Sequence, residues 1–288
     1  MHTRYICMRF PNARPKAVTL SYDDAAIDDV RLMQILDKYG LKCTFNLNSG
    51  LYAEDGEVPP PGKTTGYKMT YDQITKLYKD TPHEVALHGY THPHLNRMPQ
   101  AQVVYDIIKD RELLEKQFGT IVRGMAYPFG AFSDEVVEAL RVCGVAYART
   151  VVSTFGFDVP TDWLRMPATC HHTSPRLNEM IEKFLTAKTN APRQPMLFYL
   201  WGHSFEFGAD DSWNIIEDFG QRVGGRDDIW YATNIEIHDY VESYRSLIWS
   251  VDMSRVYNPT CTTVWFNFGD SYGTKDYCVK PGETLVFE

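Results

Sequence analysis

No apolar run in this sequence approaches the roughly 20 residues of a membrane-spanning helix; the longest extends only from Met196 to Trp201. The opening residues, MHTRYICMRFP, contain no apolar stretch of the kind that directs secretion. A chain lacking both is expected to be soluble and cytoplasmic. Positive charge is also scarce: 29 Lys and Arg stand against 37 Asp and Glu, a formal charge of −8, and the pI is about 5.6. Nucleic acid and anionic membranes reward clustered Lys and Arg, so neither is expected as a partner, and a neutral or cationic substrate fits better. The cysteines (Cys7, Cys43, Cys143, Cys170, Cys261 and Cys278) show no C-x-x-C spacing, which argues against a zinc ribbon or a disulfide scaffold. They read as reduced thiols, with Cys261 and Cys278 the one pair that invites a bridge. No internal repeat stands out.

What is present is a globular composition. The 288 residues are 44% hydrophobic and 14% aromatic, enough to bury a full core as one large domain or one domain with an appendage. Short β-prone runs alternate with stretches of helical periodicity. Strands are expected at Lys16–Tyr22, Cys43–Asn48, His83–His88, Ile121–Tyr127, Val145–Thr150, Pro195–Trp201 and Ile229–Ala232. Between them, helices are expected over Ile27–Tyr39, from the Thr70 cap to about Lys79, and over Gln100–Phe118, Asp134–Cys143, Leu177–Ala187, Trp213–Val223 and Ile235–Ser246. Such alternation predicts an α/β fold, a parallel sheet covered by helices, and this many units suggest a closed barrel over residues 1–246. The pattern breaks after 246. Residues 247–288 carry turn signals between short aromatic and β-branched runs, as in a small antiparallel β extension packed on the barrel.

The densest chemistry lies at His88-Gly89-Tyr90-Thr91-His92-Pro93. Gly89 disfavours a helix between the two imidazoles, and Pro93 biases His92 away from the α region. On a straight strand positions i and i+4 lie about 13 Å apart, whereas two nitrogens sharing one zinc each lie about 2.0–2.1 Å from it. A shared ion therefore requires the chain to coil at Gly89. Taken alone, the spacing equally fits a buried, hydrogen-bonded His88 beside a surface His92. In a parallel barrel, however, catalytic side chains gather at the C-terminal ends of the strands. Asp23-Asp24, His88, Tyr127-Pro128-Phe129-Gly130 and His203 all stand at such ends. Two acids and two histidines are what a His₂Asp metal site with a separate base needs.

These residues carry a family resemblance. Ser21-Tyr22-Asp23-Asp24 is similar to the T-F-D-D motif, and His88 to Pro93 to the H-[ST]-x-x-H-P motif, of the polysaccharide deacetylases (the NodB-homology domain, carbohydrate esterase family four). Tyr127 to Gly130 resembles the third motif of that family and Leu200 to His203 its late L-x-H motif, so the resemblance covers roughly residues 15–245 in the right order. It implies a distorted (β/α)₇ barrel that hydrolyses an N-acetyl group, or less often an acetyl ester, of an acetylated carbohydrate with a divalent metal, commonly zinc. By position it implies Asp24, His88 and His92 as metal ligands, Asp23 as general base, the backbone N–H of Phe129 at the oxyanion and His203 as general acid.

The sequence departs from the family in two places. Ala126 stands where the third motif usually has an Arg, so another residue must orient Asp23; Arg165 and Arg123 are candidates, Arg165 preferred. Gly89 replaces a Ser or Thr whose hydroxyl would brace the loop. Asp158 to Trp163 resembles the D-x-x-D-W motif with altered spacing, so Asp162 is either a plain turn residue or a partner of His203. His171 and His172 are expected either at the substrate or as plain loop residues, and His94 as solvated. Tyr90, Phe129, Phe132, Trp163, Trp201 and Phe205 are expected either to stack on sugar faces or to fill the core. An acetyl esterase or non-sugar amide hydrolase with the same site, and a carbohydrate-binding barrel without turnover, are the alternatives to an N-deacetylase.

Overall fold

The computed structural model describes residues 5–59, 65–188, 194–270 and 273–287. In chain order the strands and helices are β1 (Tyr5–Arg9), β2 (Lys16–Asp23), α1 (Asp29–Lys38), β3 (Cys43–Leu47), α2 (Tyr71–Tyr78), β4 (Glu84–Leu87), α3 (Gln100–Phe118), β5 (Gly124–Ala126), α4 (Asp134–Val142), β6 (Tyr147–Ser153), β7 (Met166–Ala168), β8 (Cys170–His171) and α5 (Leu177–Thr186). There follow β9 (Met196–His203), α6 (Ser204–Ala209), α7 (Asn214–Val223), β10 (Ile229–Tyr231), α8 (Asn234–Arg245), β11 (Ile248–Trp249), β12 (Arg255–Tyr257), β13 (Val264–Asp270), β14 (Gly273–Val279) and β15 (Thr284–Val286).

The central sheet runs β7-β6-β5-β4-β3-β2-β9-β8, with β10 added on β2, and every pairing in it is parallel. β7 and β8 are nearly continuous in the chain, one bonded to β6 and the other to β9. The segment from Met166 to His171 therefore closes the sheet into a barrel of seven staves. The barrel is distorted where β2 divides its partners, giving its first half to β10 and its second half to β3.

Buried on both faces, β2 alternates its side chains. Val18, Leu20 and Tyr22 join the large cluster under the helices. Ala17, Thr19, Ser21 and Asp23 point the other way, into the barrel, where Ala17 packs with Tyr147, Met166, Leu197, Tyr199 and Trp201. The lower interior is thus apolar and the upper interior polar. Capping fixes several helix starts: Thr70 and Thr233 form capping boxes with Gln73 and Glu236, and Ser133 caps α4.

Two expectations about element boundaries need correction. The first helix begins at Asp29 rather than Ile27, because Asp24 and Ala25 take positive φ and the chain turns before it can wind. Tyr5–Arg9, expected with the barrel, instead pairs antiparallel with β13. The C-terminal region is antiparallel β structure as expected: β1-β13-β14 and β11-β12-β15 form two three-stranded sheets around Leu247, Val256, Val264, Phe266 and Val279. All six cysteines are free. Among the described residues no helix is long and apolar enough to cross a membrane.

Candidate active site

Asp23 ends β2 at the C-terminal rim and is only 2% exposed. Both its oxygens are held. Asn46 Nδ2 donates to Oδ1 at 2.8 Å and also to Ser21 Oγ at 2.8 Å, while Arg149 Nη2 donates to Oδ2. Arg149 rises from β6, buried, its guanidinium 4.3 Å from the centre of the Trp201 ring. His88 Nε2 and His203 Nε2 lie 3.7 and 3.8 Å from Asp23 Oδ2. Burial pushes the Asp23 carboxyl up, but Arg149, His88 and His203 outweigh it and bring it down to about 2. It is an ionised, oriented carboxylate.

The arginine expected to orient Asp23 is therefore Arg149, and the preference for Arg165 is corrected. Arg165 reaches outward to Asp162 at 2.8 Å and Asp134 at 2.6 Å, and Arg123 pairs with Asp239. Asp162 accepts from Leu164 N and Arg165, so it does not serve His203. In the β5–β6 ladder Arg149 is the register partner of Ala126. The guanidinium that the family places at position 126 arrives from the neighbouring stave at the same height. An Arg in the buried first half of β6, directly after Tyr147 and Ala148, was the sequence signal for it.

Asp24 turns away from Asp23 through a positive φ of 84°. Its N–H donates to Asn46 O at 3.0 Å, and Lys68 Nζ donates to its Oδ1 at 3.1 Å and to its carbonyl. The chain does coil after β4, with Gly89 at φ 75° and His92 at φ 53°. The coil brings the His88 and His92 ring centres to 4.8 Å. In place of a Ser or Thr hydroxyl, Asp106 braces the loop: its Oδ1 accepts Tyr90 N at 2.9 Å, and its Oδ2 accepts Thr91 N and Oγ1 at 3.4 and 3.2 Å. Asn48 Nδ2 donates to the carbonyls of His88 and Gly89.

One ligand atom each from Asp24, His88 and His92 lies within 4.8 Å of the others. His88 Nδ1 is 2.8 Å from the Ala126 carbonyl; a carbonyl only accepts, so Nδ1 carries the proton and Nε2 is left with its lone pair. A metal-binding histidine commonly donates its other ring N–H to a backbone carbonyl in this way. Burial also lowers both histidines, His92 to about 4, so both offer neutral imidazole. A carboxylate and two neutral imidazoles suit a zinc-class ion with room for water.

Phe129 occupies a tight turn after β5 with φ 57°. Its ring is 57% exposed, stacks on His94 at 4.0 Å and meets His92 edge-on at 4.4 Å. His94, partly buried, packs on one face against this ring and stands outside the ligand cluster. Trp163 and Trp201 are core residues, Trp163 with its Nε1 bonded to Glu242, whereas Phe129 stands open at the rim.

His203 ends β9. Its Nε2 faces Asp23 and Asp24, and its Nδ1 lies 3.4 Å from Glu206 Oε2. Burial pushes its pKa down, yet Glu206, Asp23 and Asp24 raise it above the ordinary value. Glu206 is a site residue that sequence reasoning missed. It sits three residues on, at the first turn of α6, where its carboxylate also accepts the His203 N–H at 3.1 Å; the H-x-x-E spacing of a helix start was the available signal. His171 and His172 also reach this carboxylate, each with Nε2 at 3.2 Å from Oε2.

A parallel barrel whose C-terminal rim joins a His₂Asp cluster to an oriented carboxylate has the fold of the carbohydrate esterase barrels. The polysaccharide deacetylase family model matches residues 11–148. Among solved structures, a candidate polysaccharide deacetylase from Mycobacterium smegmatis superposes with a TM-score of 0.59 at 18% identity, covering 85% of this chain and 96% of that one. The Xyl-CE4 domain of a multidomain xylanase from the hindgut metagenome of Trinervitermes trinervoides gives 0.50 at 14% identity, over 79% and 91%. The Streptococcus pyogenes deacetylase PplD gives 0.44 at 21% identity over 51% of this chain, which spans 61% of the length of PplD. At these identities the likeness is one of fold. No curated protein matches.

Proposed function

We propose that the protein is a metal-dependent hydrolase that removes the N-acetyl group from an amino sugar or short oligosaccharide. The observation that carries this reading is Asp23, fixed at both oxygens by Asn46 and Arg149 and facing both His88 and His203. Held by Asp24, His88 and His92, a divalent metal, zinc by its donor set, would polarise the amide carbonyl and acidify water. Asp23 takes the proton of the attacking water; Arg149 and Asn46 keep it ionised and aimed. The backbone N–H of Phe129 is assigned to the oxyanion, where loss of one donor costs roughly 2.7–4 kcal/mol in comparable sites. His203, its proton favoured by Glu206, protonates the departing nitrogen, without which an amine does not leave. Acetate release from N-acetylated chitooligosaccharides tests the reading: wild type releases it, and Asp23→Asn abolishes release while retaining metal. No acetate from the metal-loaded wild type would overturn it.

An acetyl ester or a non-sugar amide as substrate is the second reading. It is favoured by an apolar lip at the rim, where Phe129, Val151 and Val152 are 57%, 44% and 53% exposed. Parallel assays on acetylated xylan, aryl acetates and cyclic amides separate the two. The reading as a barrel without turnover drew on the missing arginine at Ala126, and Arg149 removes that support.

A further inference from the structure

Beside the Asp24–His88–His92 cluster stands a second group of metal-ligating side chains. One ligand atom each from His171, His203 and Glu206 lies within 4.8 Å of the others. A tetrahedral ion with bonds of about 2.0–2.1 Å sets its ligand atoms about 3.3 Å from one another. Two of the three edges already have that length: Glu206 Oε2 lies 3.2 Å from His171 Nε2 and 3.4 Å from His203 Nδ1.

Two further observations point to a ligand here. His172 is 1% exposed, neither of its ring nitrogens makes a hydrogen bond, and its Nε2 is aimed at the same Glu206 oxygen from 3.2 Å. His203 Nδ1 is likewise enclosed, facing the Glu206 carboxylate at 3.4 Å. The deep side is closed by His172, while His171, His203 and Glu206 are each only partly buried, so an ion can enter from the rim.

We infer that His171, His203 and Glu206 form a second divalent-cation site for zinc-class ions, and that filling it switches off His203 as a proton donor. The cation-binding part stands on this geometry alone; the switching part rests on the proposed role of His203 as general acid. An imidazole ligated through Nδ1 cannot become imidazolium. Its remaining Nε2 proton is far less acidic, and the departing nitrogen loses its donor. His203 thus faces two ways, its Nε2 toward Asp23 and its Nδ1 toward the second site.

The experiment is a zinc titration of metal-free protein with bound ions counted by equilibrium dialysis. Wild type is expected to take two ions per chain. His171→Ala and Glu206→Gln each take one, and Asp24→Asn also takes one, held at the second site. The ion retained at the first site, with the near-ultraviolet circular dichroism spectrum, reports that His171→Ala and Glu206→Gln are folded. One ion in wild type, or two in both His171→Ala and Glu206→Gln, overturns the site. In acetate-release assays, zinc beyond the first equivalent is expected to inhibit wild type at least tenfold, with a midpoint matching the second dissociation constant, and to spare His171→Ala. Two ions without such inhibition overturn the switch and leave the site. Absence of any turnover would instead count against the proposed function, with the ion count unaffected.

Discussion

Arg149 and Asp23 face each other across the barrel interior, from β6 to β2, as a buried ion pair in which one Arg149 Nη donates to one carboxylate oxygen. Breaking such a pair from one side leaves an uncompensated charge, at a cost of about 3–5 kcal/mol. Arg149→Met is therefore expected to destabilise the protein by that order and to cut kcat at least a hundredfold. Arg149→Lys keeps the charge, loses the planar fork and is expected to fall between. Urea denaturation with acetate-release kinetics measures both; an Arg149→Met protein as stable and active as wild type would contradict the orienting role.

Asp106 touches no ligand directly, yet it gathers the N–H groups of Tyr90 and Thr91 that shape the turn between His88 and His92. Loss of a supporting contact of this kind typically costs 10–100-fold in metal affinity. Asp106→Ala is expected to weaken zinc binding by about that factor, read by competition with a chromophoric chelator. Unchanged affinity would assign the loop shape to other contacts.

Gly89 holds φ at 75°, and a Cβ there would lie 3.0 Å from Pro93 Cδ and 3.1 Å from Asp106 Oδ1. Restoring the Ser that the family motif favours should consequently harm this protein. The left-handed conformation alone costs a non-glycine residue roughly 1–2 kcal/mol, and the crowding adds to it. Gly89→Ser is expected to lower Tm and metal affinity together; an unchanged or higher Tm would show that Asp106 can yield.

Glu84, on β4 below the site, accepts from Tyr147 OH at 2.7 Å, Thr44 Oγ1 at 2.8 Å and Ile235 N at 2.9 Å. Burial nevertheless outweighs these contacts and pushes its pKa up from 4.5 to about 7. Between those values the folded state binds a proton that the unfolded chain has lost, so stability falls as pH rises through the window and levels off above it. Glu84 contributes a slope of at most about 1.4 kcal/mol per pH unit, and Asp29 and Asp110, which burial likewise raises to about 7, add theirs in both proteins. Urea midpoints measured at intervals from pH 4.5 to 8 should show this decline in wild type and a flatter profile in Glu84→Gln. Equal slopes would mean that Glu84 does not titrate in the window.

The residues that define the rim were legible because they are local in sequence. Asp23-Asp24 and His88 to His92 are short motifs at strand ends, and strand–helix alternation fixed which ends converge. Arg149 was not legible as a partner of Asp23, because it reaches the site only through the pairing of β6 with β5, where it stands beside Ala126. Arg165 was attractive for its polar loop, but its acidic neighbours Asp134 and Asp162 draw it outward. Met166 to His171 escaped detection as a stave because Pro167 interrupts it and a strand so short has little periodicity to read. Tyr5–Arg9 is similarly brief, and its partner strand lies near the other end of the sequence.

That last pairing bears on how the molecule is made. A ribosome delivers β1 long before β13, so β1 must wait, with its backbone donors and acceptors unmatched, until β13 has emerged. Contacts so distant in sequence form slowly, and an unpaired strand is a template for wrong partners meanwhile. The barrel staves can close in order behind it, but the two small sheets become complete only once the strands that follow the barrel have emerged. Nascent chains halted before Val264 should therefore carry β1 as exposed, protease-sensitive polypeptide even when the rim that bears Asp23, His88 and His203 has already been assembled.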